Sequence, residues 1–144
     1  MAHSEWSKRP GFVLDTGALI ELQKWGSPLF RELDKAQRDD LAIIVPAPVL
    51  VEWLAGGSTA NVSRVMDLVE VVELDEKIAK AAGAALVGAG HPLCRSCRVR
   101  GGPSVVDAVV MAVAHEAGDT VFTDDPKDLE ELRAHFARPV VMHW

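Results

Sequence analysis

The stretch PSVVDAVVMAVAHEAGDTVFTDDPKDL, residues 103–129, decides the reading of the fold. Residues 104 to about 117 form a helix-sized run with almost no polar side before His115, and such a helix belongs in a protein interior. The short apolar run TVF that follows reads as a strand, and an acidic turn and a short helix from about 126 close the unit. Asp107 lies near the start of the buried helix, and Asp124, Asp125 and Asp128 crowd the turn. Ser104 and Asp107 have the spacing of a capping box. Val110, Met111 and Ala114 share the face of Asp107, so a carboxylate there is partly desolvated and needs a partner or a metal ion. Locally both readings stand.

Working outward, the alternation of strand and helix recurs. GFVLD ends at Asp15 and leads into TGALIEL, whose Ala18, Leu19 and Leu22 have helical spacing. LAIIVP (41–46) is a second apolar strand, and Pro46 opens the helix PAPVLVEWLAG, which stops at Gly56-Gly57. A helix over about 59 to 69 and the strand VEVVEL (69–74) follow, and Asp75 caps the alanine-rich helix EKIAKAAGAALVGAG. RPVVMHW closes the chain as an edge strand. Strands that are continuously apolar are buried on both faces, so the fold class is α/β, a three-layer α/β/α sandwich around a central parallel sheet. One domain accounts for residues 1–144, a length at which a chain buries roughly two-thirds of its unfolded surface.

Composition narrows the function. Hydrophobic residues make up 49% of the chain and charged residues 25%, ordinary values for a globular domain. No apolar run approaches the ~20 residues needed to cross a bilayer, the first residues lack the pattern of a signal peptide, and two cysteines are too few for a disulfide scaffold. The expectation is a cytoplasmic protein that does not engage a membrane. A net charge of −6 argues against holding nucleic acid by bulk electrostatics, although clustered acids that bind divalent cations invert the local field.

In a parallel sheet, ligands bind beyond the carboxyl ends of the strands. Asp15 and the Asp124/Asp125 pair both lie just past strand ends, so chain geometry puts them on one edge. Each acid has an ordinary alternative role. Asp15 can cap the following helix, Glu52 between Val51 and Trp53 can face solvent, and Asp124, Asp125 and Asp128 suit a turn and a helix start. Together they amount to acids delivered to the ends of adjacent elements. Hard divalent cations take such oxygen ligands, and water bound to one is more easily deprotonated for in-line attack on a phosphodiester.

The ordered set VLDTGALI, PAPVLVEWLAG, VVDAVVMAVAHEAG and VFTDDPKDL resembles the PIN-domain nucleases, and within them the VapC-type toxins of toxin-antitoxin pairs. The resemblance spans nearly the whole chain. It implies that Asp15, Glu52, Asp107 and an acid of the TDDPKD turn are catalytic and hold Mg²⁺ or Mn²⁺. The family's usual Thr-x-Asp points to Asp125 as the fourth, with Asp124 and Asp128 as neighbours able to share the role, and makes Thr16 and Thr123 the hydroxyls that orient the site. The implied reaction is endonucleolytic cleavage of RNA leaving a 5′-phosphate. The implied partners are an RNA substrate, a small cognate antitoxin that covers the acids, and a second copy of the chain in a homodimer.

The loop HPLCRSCRVRGG offers Arg95, Arg98 and Arg100 for RNA phosphates. His91, Cys94 and Cys97 are spaced like three zinc ligands but lack a fourth. Trp53 reads as a core or interface anchor. Two other classes compete. A catalytically silent PIN-like module would bind RNA or protein without cutting, yet would have no reason to keep carboxylates in apolar surroundings. A phosphatase would need Asp-x-Asp at the first strand, where this chain has Asp15-Thr16-Gly17, and a phosphoryl-accepting receiver domain would need a lysine at a late strand end, whereas Lys127 sits in the short helix.

Overall fold

Strand β1 (Gly11–Leu14) lies at the centre of a parallel sheet with β2 (Ala42–Pro46), β3 (Glu70–Val72), β4 (Thr120–Thr123) and β5 (Val140–His143), in the order β3-β2-β1-β4-β5. The computed structural model describes residues 11–90, 103–117, 120–136 and 139–143. Val13 is in register with Ile44 of β2 and Val121 of β4. All five residues of β2 are buried, and since successive side chains point to opposite faces, both faces of the sheet are covered. The cover is helical: α1 (Thr16–Gln23), α2 (Pro28–Arg38), α3 (Ala47–Ala55), α4 (Val62–Leu68), α5 (Glu76–Gly88), α6 (Val105–Glu116) and α7 (Pro126–Leu132), the last followed by a 3₁₀ turn at Arg133–His135.

Helix α6 is buried without a break from Ala108 to Ala114. This accounts for its nearly uniform apolar sequence, and its contacts with β1, β2 and β4 place it across the middle of the sheet. The chain builds β1, β2 and β3 outward on one side, then returns to lay β4 on the other side of β1. The strand order therefore reverses between β1 and β4, where a crevice opens at the carboxyl ends of the two strands. The Asp15 amide donates to the Phe122 carbonyl at 3.3 Å, fastening those two ends together.

Three elements differ from the sequence expectation. The strand expected over 69–74 is only Glu70–Val72, because β3 pairs with β2 alone and Glu73 and Leu74 are left exposed at the edge. The helix expected from about 59 begins at Val62, since Asn61 takes a left-handed conformation (φ 57°) that no right-handed helix continues through. Helix α2 has no counterpart in the sequence reading, because it buries only Leu29 and Leu33 and so carries little apolar periodicity. Its start signals are nevertheless ordinary: Pro28 opens the helix, and the Ser27 hydroxyl accepts from the Phe30 amide at 3.2 Å. The Arg64 guanidinium of α4 lies 3.8 Å from the centre of the Phe30 ring and joins α4 to α2.

Candidate active site

The crevice between β1 and β4 is a cavity of about 170 Å³ lined by Asp15, Thr16, Gly17, Glu52, Ser104, Asp107, Asp124, Asp125 and Asp128, with Val106 and Val110 as its apolar wall. Every acid put forward for the site in the sequence lines this one space. They arrive on separate elements: Asp15 directly after β1, Glu52 on α3, Asp107 in the first turn of α6, Asp124 and Asp125 directly after β4, and Asp128 in α7.

Each of the three acids from the earlier elements is held by a specific hydrogen bond. Asp15 caps α1, its Oδ1 accepting from the Ala18 amide at 2.9 Å, and it also bonds the hydroxyl of Thr123. Thr123 is fully buried, and its Oγ1 in turn accepts from the Asp125 amide at 3.0 Å. Glu52 is exposed, and its Oε1 accepts from the Thr16 hydroxyl at 2.7 Å. Asp107 closes the capping box: its Oδ2 accepts from the Ser104 amide at 2.8 Å, and the Ser104 Oγ accepts from the Asp107 amide at 3.1 Å.

Cap and cavity are therefore not alternatives for Asp107. A carboxylate has two oxygens, and the cap engages Oδ2 while the side chain still lines the cavity. Ser104→Ala removes one half of the box and should lower stability by about 1 kcal/mol in urea unfolding, the usual scale for a lost cap, while Ser104→Thr should restore most of it. Unchanged stability in the alanine variant would show the box to be idle.

Crowding has an electrostatic cost. Burial raises the Asp15 carboxyl from 3.8 to about 6, with the charges of Asp124 and Asp107 adding to the rise against the bonds from Thr123 and Ala18. Burial likewise raises Asp107, and the charges of Asp128 and Glu52 push the same way against its two bonds to Ser104. Ion pairs between described residues are found elsewhere, among them those on Glu21, Asp34, Glu76, Glu116 and Glu130. Among the described residues, the site gathers negative charge without a matching cation.

Within the turn after β4, Asp124 is the acid pressed against the opposite wall. A Cβ on Gly17 would fall onto its carboxylate, so glycine at that position leaves the room Asp124 takes up. The sequence reading missed Gly17, although its signal was available: a glycine two residues after a strand-end acid, in the first turn of a helix. Asp125 starts α7 without a side-chain cap bond. Arg95, Arg98, Arg100, His91, Cys94 and Cys97 lie outside the described residues.

The donors are all oxygens, which suits Mg²⁺ or Mn²⁺. Among the described residues no three acids or histidines close up far enough to hold an ion by side chains alone. A hard cation that keeps several of its waters does not require that closure, and acids spread around a cavity of this size leave room for those waters. The residue types, and a shared charge with no matching cation among the described residues, fit such an ion.

The PIN domain family model matches residues 12–134. A comparison with curated proteins finds no match. Among solved structures, the chain is similar to the DNA-bound VapBC from Salmonella typhimurium, at 19% identity over 94% of this chain and 98% of the other, with a TM-score of 0.62. It is also similar to VapBC2 from Rickettsia felis bound to a promoter DNA fragment (14% identity, 92% and 98% covered, TM-score 0.60) and to FitAcB from Neisseria gonorrhoeae (18%, 91% and 96%, 0.55). At these identities the likeness is one of fold.

Proposed function

Because the chain belongs to the PIN domain family, we propose that it is a Mg²⁺- or Mn²⁺-dependent endoribonuclease and the toxin of a VapBC-type toxin-antitoxin pair. The observation that carries this reading is the convergence of acids from separate elements on one cavity at the point where the strand order reverses. Two of those acids, Asp15 and Asp107, are held above their ordinary range there.

Asp15, Glu52 and Asp107 hold the ion, joined by an acid of the turn after β4. When bound, a divalent cation makes its water a better nucleophile and offsets the charge that develops on the phosphate. The rest is positioning by this chain's own groups. Thr16 keeps Glu52 turned toward the crevice, Thr123 steadies Asp15 and the Asp125 backbone, and the Ser104 cap fixes one Asp107 oxygen. For the fourth acid, family spacing favours Asp125, whereas Asp124 lies against Gly17 and its charge is felt by Asp15. Separate Asp124→Asn and Asp125→Asn variants decide between them by which loses cleavage.

The antitoxin has a surface that suits it. A second, largely apolar cavity of about 380 Å³ between α1 and α3 shares Glu52 with the acid site, and Ile20, on its wall, is about half exposed. Val51 and Leu54 lie exposed on the helix that carries Glu52. A partner segment that seats an apolar side chain in this cavity and directs a basic one at the acids would cover the site. The same reading implies a homodimer, which sedimentation would detect, and a cytoplasmic enzyme that meets its RNA there. Among the described residues no helix is long and apolar enough to cross a membrane.

The test is incubation of a mixed RNA pool with purified protein in Mg²⁺ or Mn²⁺, with EDTA in a parallel reaction. Cleavage that starts with the ion, stops with EDTA and leaves 5′-phosphate ends is the expected result. Absence of cutting with either metal would leave a PIN-like domain that binds RNA or protein without cleaving.

A further inference from the structure

Gln23, the last residue of α1, is buried although polar, and it sits outside the acid crevice. Its Oε1 accepts from the Trp53 indole Nε1 at 2.7 Å, and its Nε2 donates to the Ala60 carbonyl at 2.8 Å. Its own carbonyl accepts from Asn61 Nδ2 at 2.7 Å. One residue thus ties the end of α1 to α3 and to the loop after α3.

Trp53 follows Glu52 directly, so the two side chains leave α3 about 100° apart and any rotation of the helix moves both. Thr16 and Gln23 are seven residues apart on α1, which puts them on nearly one face about 10 Å along the axis. The Thr16–Glu52 and Gln23–Trp53 bonds are therefore two cross-links between the same pair of helices, one at the crevice and one about two turns away. The 380 Å³ cavity is lined by Gln23, Trp53 and Glu52, so side-chain packing does not fill the space beside these three residues. Glu52 is exposed, and its Oε1 is held by the Thr16 hydroxyl.

We infer that Gln23 is a positioning residue for Glu52: its bond to Trp53 sets the rotation of α3 that brings the Glu52 carboxylate to the Thr16 hydroxyl. The effect on cleavage rests on the proposed nuclease reading; the geometry does not.

Two variants break the bond from opposite ends. Gln23→Leu removes the acceptor together with the side-chain bond to the Ala60 carbonyl, keeping the backbone bond from Asn61, whereas Trp53→Phe removes only the indole N–H and keeps a ring in the core. In metal-free protein labelled with ¹³C, both should move the Glu52 carboxyl resonance toward its open-chain position, and the double variant should move it no further. In the cleavage reaction, both should raise the Mn²⁺ concentration for half-maximal rate about 10-fold with the KM for RNA unchanged, the scale of a lost outer-shell partner. Neither should add to the loss caused by Glu52→Gln.

A Glu52 resonance unmoved in both variants, or moved by Gln23→Leu alone, overturns the inference, the second outcome assigning Gln23 to the loop. So does a cleavage defect that persists undiminished in the Glu52→Gln background. If the parent protein cuts no RNA, the nuclease reading falls while the carboxyl resonance still decides the role of Gln23.

Discussion

Asp107→Asn should reduce RNA cleavage by at least about 100-fold, the scale on which loss of one charge-stabilising group acts, and should leave the protein at least as stable as its parent. The amide oxygen of asparagine still accepts from the Ser104 amide, and the Ser104 hydroxyl still accepts from the backbone at 107, so the capping box survives. What disappears is a negative charge that burial, Asp128 and Glu52 all disfavour. Removing it relieves the folded state and, on the proposed reading, deprives the cation of a ligand, so activity and stability should move in opposite directions. Asp107→Ala differs in losing the side-chain half of the box as well, and should be both inactive and less stable than the asparagine variant. Circular dichroism and urea unfolding beside the cleavage assay separate the two. An asparagine variant that unfolds would mean that the charge itself holds the helix start; one that cuts normally would remove Asp107 from the site.

Most of the fold was legible because its strands are short, largely apolar and separated by helices, which leaves a parallel sheet as the consistent arrangement. That sheet placed Asp15 and Asp124 on one edge, since both follow strands that point the same way. Helix α2 escaped because two buried residues in eleven make a weak period, and the polar rest of the helix resembles a loop. Glu52 shows a different limit. The alternative of a solvent-facing residue is accurate as to exposure, yet Glu52 also lines the crevice, where its partner is a hydroxyl 36 positions earlier in the chain. Gln23 was invisible for the same reason, because its partners Trp53 and Ala60 are 30 and 37 positions away. Local spacing reports caps and periods; contacts between elements follow only once the sheet order is known.

Asp15→Asn should stabilise the metal-free protein by up to about 3 kcal/mol at pH 7, and this advantage should vanish by about pH 4. The Asp15 carboxyl ionises near 6 when folded and near 3.8 in an open chain, so between those values the folded protein binds more protons than the unfolded one. Stability contributed by this group is then fully present below 3.8 and is lost as pH rises through about 6. Asparagine cannot ionise and so does not incur that loss, yet it can still cap α1 by accepting from the Ala18 amide. Other carboxylates titrate in the same range, which is why the difference between parent and variant is the quantity to follow, by urea unfolding in EDTA from pH 4 to 8. Saturating Mg²⁺ at pH 7 should then close the gap from the other side, stabilising the parent through the ionised carboxylate while leaving the variant nearly unmoved. Parallel curves at all pH values would show that Asp15 ionises as freely when folded as in the open chain. A gap that Mg²⁺ fails to close would mean that the repulsion at the crevice is relieved by something other than a divalent cation.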